Sequence, residues 1–254
     1  DVRDNARDFG LTKDAGIVTL TYRPVRQFSA FVGGSLELND ATIFGSEQKG
    51  ALEQYVQANP RRAGLFRVPE GTTLAVAQRI GFAWDRRDNP LGASRGTLVS
   101  TSLEHVRATP FGGEEAGDGI FDATTSQFLR LTQRVAGYLR LSDKGLALAG
   151  SVRWGMNQQL RSESRTYPDR LFFLGGVDSV RGFLQDSMIP EDIAQQLLEP
   201  TSGLSLNQVV IRGGDAFINP RLELRIPLSG NVQTGLFLDS GNLWRDPEQV
   251  NPLD

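Results

Sequence analysis

The chemistry open to this chain is bounded first by what it lacks. It has no cysteine and one histidine, His105. That excludes a thiolate metal site, a disulfide framework and a cysteine nucleophile, and it leaves no histidine pair for a metal. No Ser/Asp arrangement points at His105, which reads as structural. Glu114, Glu115, Asp118 and Asp122 crowd a glycine-rich stretch. Their spacing does not match a calcium-binding loop, so a solvated loop is expected. The Gly-Gly pairs at 175–176 and 213–214 lack the downstream spacing of a phosphate loop. No cofactor or metal is expected. What remains is arginine. Only Lys13, Lys49 and Lys144 of the 27 basic residues are lysines, so 24 are arginines. The net charge of −3 argues against a nucleic-acid partner, which asks for a basic face.

The arginines fall on a pattern of period two. Val18, Leu20 and Tyr22 open it, and Phe28 to Leu38 continue it. Further alternating runs cover 74–85, 97–106, 128–141, 146–157, 218–228 and 232–239, making eight strands in all. Arg130, Arg134, Arg140 and Arg153 share the polar face of their strands, as do Arg221 and Arg225. The opposite face is apolar, with Gln133 its one awkward member. Several strands run to roughly ten residues or more, where globular strands have about five or six. A membrane barrel strand needs ~9–11.

The connections alternate in length. Those at 24–26, 86–95, 142–145 and 229–231 are short; those at 39–73, 107–125 and 158–216 are long. Outer-membrane barrels have tight turns on one side and long loops on the other, whereas a soluble sandwich has no reason to. An arginine facing lipid at mid-membrane costs ~2–4 kcal/mol, so the arginine face is expected to line the lumen. Tyr22, Phe28, Phe82 and Trp84 lie near the short turns, where an interfacial girdle belongs. A helix is expected over 190–199, with Pro190 at its first turn and Pro200 ending it. The first eight residues are charged and carry no signal peptide, so either one has been removed or the chain starts inside a larger protein.

Four segments carry a resemblance. They are Leu174-Gly175-Gly176-Val177-Asp178-Ser179-Val180-Arg181-Gly182-Phe183, Leu236 to Trp244 with its Asp239-Ser240-Gly241-Asn242-Leu243-Trp244, Asp85 to Leu91 followed by Arg95-Gly96, and Asn219 to Pro227. Together they resemble the BamA/TamA superfamily of outer-membrane assembly and translocation barrels. The resemblance implies an all-β, antiparallel transmembrane barrel of sixteen strands. This chain, 1–254, would supply about eight of them, the sixth to the thirteenth, as part of one C-terminal barrel domain. POTRA domains and the last strands would be absent. The alternative, a closed eight-stranded barrel, leaves no room inside for a loop.

The resemblance also implies that the Val180-Arg181-Gly182-Phe183 segment folds from the 158–216 loop into the lumen and braces the wall. An arginine taken there from water needs carboxylates, and its fork suits bidentate pairing. The inward acids on the next two strands are Glu223 and Asp239. Arg181 is expected to pair with one or both, Gly182 to allow close approach, and Phe183 to pack on Phe237 or Tyr138. The implied function is a non-enzymatic insertase or translocase of the bacterial outer membrane, working without ATP. Its implied partners are outer-membrane lipid and lipopolysaccharide, unfolded outer-membrane or secreted proteins, and periplasmic or lipoprotein partners. A two-partner-secretion-type transporter or a solute pore is the alternative. A barrel enzyme is disfavoured by the lone histidine.

Overall fold

The structure is a computed structural model that describes residues 9–113, 117, 119–198, 209, 212–229 and 232–250. The strands are β1 (Phe9–Val25), β2 (Phe28–Ile43), β3 (Gly71–Asp85), β4 (Gly96–Pro110), β5 (Ser126–Arg140), β6 (Ala147–Gln159), β7 (Ala216–Ser229) and β8 (Val232–Asp239). They pair antiparallel in chain order into one open sheet with β1 and β8 at its two edges. A short β9 (Asn242–Trp244) resumes pairing with β7 beyond the end of β8. Every strand read from the alternation is present, and the sheet is an open part of a barrel wall.

Register follows the alternation. Val18 faces Gly34, Leu36 faces Val76, and Val135 lies between Val99 and Val152. A one-residue slip would move the arginines to the apolar face, so the pattern itself specifies the register. The apolar face stays open to its surroundings: Val18 is 73% exposed, Leu20 71% and Ile80 59%. Phe28 stacks against Phe82 and meets Trp84 edge-on, forming an aromatic band by the short turns. Gln133 lies opposite Thr101 and donates to its hydroxyl at 3.4 Å, which satisfies a polar group on that face. His105 pairs its ring with the Gln127 amide at 3.0 Å.

The long connections collect at one end and cover the other face. They include α1 (Ser46–Ala58), α2 (Ala63–Phe66) and α3 (Glu191–Leu198). Here lies an apolar core of Phe9, Ile43, Leu52, Phe66, Phe121 and Ile193, among others. β1 and β2, at 17 and 16 residues, are longer than the ~9–11 needed to cross a bilayer. Their ends rise into this cap, where Phe9 and Ile43 pair and are buried.

Candidate functional site

The 158–216 loop lies on the inner face of the sheet, and two of its segments grip the wall. The downstream grip begins with a turn at Gly175 and Gly176, whose φ angles are +116° and +87°. Only glycine adopts these without strain. A Cβ at Gly175 would also lie 2.2 Å from the Leu184 carbonyl oxygen. Ser179 Oγ receives the Gly175 N–H at 2.8 Å and donates to the Gly175 carbonyl at 2.9 Å. The Gly176 N–H donates to the Phe183 carbonyl at 3.0 Å. These bonds hold residues 177–181 as a compact tongue. Gly241 lets it approach the sheet: a Cβ there would sit 3.0 Å from both Leu174 Cδ1 and Val180 Cγ2. Val180 is buried.

Beside it, Arg181 donates Nε–H to Asp239 Oδ2 at 2.5 Å and Nη2–H to Oδ1 at 2.9 Å. Glu223 stands further off, with its oxygen 3.9 Å from Nη2. The guanidinium lies 3.5 Å above the Phe237 ring, adding a cation–π contact. The Asp239 bonds push the Arg181 pKa up, holding its charge. Arg221 shares Asp239 at 3.2 Å and donates to the Asp178 carbonyl at 3.1 Å. Arg153 reaches the same carbonyl at 2.8 Å and Asn219 Oδ1 at 2.9 Å. Asn219, fully buried, donates to the Ser179 and Ser240 carbonyls. Wall side chains thus donate to the Asp178 and Ser179 carbonyls, and the buried Ser179 is satisfied.

Two motif positions behave differently from the sequence reading. A Cβ on Gly182 would meet nothing within 4 Å, so the close approach belongs to Gly175, Gly176 and Gly241. Phe183 is 52% exposed, and the Phe237 ring carries Arg181 in its place. The strand that follows docks the motif elsewhere. Asn242 Nδ2 donates to Glu191 at the start of α3, and Trp244 is buried opposite Ala216.

The upstream grip was not read from sequence. Arg170, two residues after Pro168, donates from Nη2 to Glu37 on β2 at 2.8 Å and to Glu104 on β4 at 3.5 Å. It also pairs with its neighbour Asp169. Lys13 of β1 meets Glu37 at 2.6 Å and Asp169 at 3.9 Å. Arg130 lies opposite Glu104 in register, donates to the Arg170 carbonyl at 3.3 Å, and sits 4.3 Å above the Phe172 ring. Glu37, Glu104 and Asp169 therefore meet Lys13 and Arg170 in ion pairs, with Arg130 beside Glu104 in register, which a low-dielectric site demands. Burial pushes the Asp169 acid up, and Arg170 and Lys13 oppose that. The available signal was Glu37 and Glu104, acids on the inner face of long strands.

The other arginines divide by height. Arg134 and Arg153 oppose each other across β5 and β6 and border a cavity of about 580 Å³ with Phe31, Phe172 and Phe217. Arg140 and Arg225 sit instead at the short-turn end. Arg140 donates to Ser94 Oγ from Nε at 3.0 Å, and Arg225 to the Ala93 carbonyl at 2.9 Å and Glu223 at 2.8 Å. They tie down the 86–95 turn and do not line that cavity. Of the acidic loop residues, Asp122 caps the Gly119 N–H; Glu114, Glu115 and Asp118 lie outside the described residues.

An open antiparallel wall with an arginine-bearing loop clamped on its inner face defines a class. The model of the Omp85 superfamily domain matches residues 26–253, and the chain belongs to that superfamily. Among solved structures it is similar to BamA from Haemophilus ducreyi lacking POTRA domains 1–3, with a TM-score of 0.65 at 17% identity. The match covers 95% of this chain and 44% of that one, so the chain spans less than half the length of that relative.

Proposed function

We propose that this chain is part of the outer-membrane wall of a protein insertase or translocase, and that the loop is its internal brace. The observation that carries the reading is the two-pronged contact of Arg181 with Asp239 on the inner face, in a chain of the Omp85 superfamily. The open apolar face, bordered by Tyr22, Phe82 and Trp84, suits lipid. The long loops then face outward and the short turns the periplasm. Unfolded outer-membrane or secreted proteins are the substrates, with lipopolysaccharide and periplasmic or lipoprotein factors as further partners. Substrate strands are taken up by main-chain pairing, a form of β-augmentation. Their own folding supplies the work, so no ATP is consumed and no side chain acts as a catalyst. In cells depleted of the native protein, Arg181→Ala is expected to lower the amount of folded outer-membrane barrels and to weaken the heat-dependent gel shift of the protein itself. Full complementation by this variant, with an unchanged shift, overturns the reading.

The cavity beside Arg134 and Arg153 favours a second reading, a polypeptide transporter or anion-selective pore. Planar-bilayer conductance selective for anions, with no assembly defect on depletion, distinguishes it.

A further inference from the structure

A second arginine cluster lies where the cap meets the inner face. It surrounds a cavity of about 380 Å³ bordered by Arg61 beside α2, Arg165 of the long loop and Arg245 just after β9. These arrive from three separate parts of the chain. Arg67 stands directly behind, its carbonyl taking Nη2–H of Arg245 at 2.8 Å. Arg245 is 5% exposed, and its Nη1 has no hydrogen-bond partner; neither has Nε of Arg165 or of Arg67. Among the described residues no carboxylate forms an ion pair with Arg61, Arg67, Arg165 or Arg245.

The acids at the rim are already engaged. Asp215 accepts from Asn157 at 2.9 Å. Asp246 accepts the Glu248 N–H and the Gln249 amide, each at 3.0 Å. Asp192 accepts the N–H groups of Ile193, Arg245 and Asp246. Burial, then Arg67 and Arg245, push the Arg165 pKa down, with Asp215 opposing. Arg170, Arg181, Arg221 and Arg225 on the inner face each reach a carboxylate; the four arginines here do not. Partly buried like charges repel unless an anion joins them.

We propose that this pocket binds a phosphate group of a polar ligand. A carboxylate matches one guanidinium fork. A phosphate presents acceptor oxygens in several directions and suits forks converging from separate segments. The cavity lies near the lower end of the ~300–1,000 Å³ range of small-molecule pockets, so it has room for a phosphate with a small sugar or a second phosphate.

The test is calorimetric titration of the full-length protein in detergent micelles with inorganic pyrophosphate. Binding is expected, weakened about tenfold or more by Arg61→Gln or Arg165→Gln through loss of a charge-assisted pair. Arg107→Gln, on the outer face, is expected to leave it unchanged. Arg61 is exposed, so its variant tests the site even where Arg165→Gln fails to fold. Displacement of pyrophosphate by vesicles of a phosphorylated glycolipid assigns the phosphate to a lipid headgroup; no displacement assigns it to a free solute. Absence of binding, equal affinity in all variants, or tricarballylate binding as tightly as pyrophosphate overturns the proposal.

Discussion

Asp239 carries more of the downstream grip than Arg181 does. Its side chain is 3% exposed and serves two guanidiniums. Removing Arg181 leaves Asp239 paired with Arg221; removing Asp239 leaves both arginines without their nearest carboxylate. Breaking a buried pair costs ~3–5 kcal/mol, less where one member keeps solvent contact, as Arg181 does at 23%. Asp239→Ala is therefore expected to lower the temperature of the heat-dependent gel shift further than Arg181→Ala. Equal shifts would mean that Arg221 contributes nothing at this point. The glycines rank just as sharply. Gly175→Ala forces a side chain into left-handed backbone and against a carbonyl, at about 1–3 kcal/mol. Gly182→Ala meets open space and is expected to leave the gel shift where it was. A motif read as letters gives both glycines the same weight; the backbone angles separate them.

Among the elements, the β3–β4 turn has the clearest dependence on pH. Asp88 accepts from Ser94 Oγ at 2.6 Å and from the Ser94 and Arg95 N–H groups, and these bonds hold its carboxyl below the usual range. A depressed acid contributes stability above its unfolded pKa and loses it as pH falls through the folded one. The turn is thus expected to keep its order from neutral pH down to the ordinary carboxylate range and to loosen only below it. Hydrogen exchange of the Ser94 and Arg95 amides against pH checks this; early loosening near pH 6 would point to another group. The same scale shows what the sequence could carry. All eight long strands were legible because one period governs each and a slip exposes arginine to the wrong face. The helix over 190–199 was legible from Pro190 and the acids after it, and α3 covers Glu191–Leu198. α1 was not, since Leu52 is its one fully buried residue and no strong stripe marks it. The start of β1 was hidden too. Lys13, Asp14, Ala15 and Gly16 break its apolar rhythm, yet the ladder with β2 needs only backbone there. Arg181 and Asp239 were readable as candidates because both sit in dense motifs. The Arg170 cluster was not, because Glu37 and Glu104, the strand acids it joins, lie 133 and 66 residues away in sequence and no dense motif marks them.

Across the whole molecule the two grips sit on the same inner face, towards opposite edges of the sheet. Arg170 engages β2 and β4, and its neighbour Asp169 lies near Lys13 of β1; Arg181 engages β8. The ten residues between them cross the inner face, buried at Leu171, Phe172, Leu174 and Val180. A segment fixed at both ends can act as a strut that sets the spacing of the wall, and a strut fails when either end is released. Independent staples would instead fail in proportion to their number. The chain has no cysteine, so two can be introduced on the outer face, Val32→Cys on β2 and Leu236→Cys on β8, for spin labelling. Pulsed-EPR distances between them then report the span directly. Arg170→Ala and Arg181→Ala are each expected to broaden the distance distribution, and the double variant to broaden it no further than the wider single one. Contacting residues in one network couple by ~0.5–3 kcal/mol, whereas separated sites add. Broadening that sums would make the grips separate staples, and the curvature of the wall would then belong to the strands themselves.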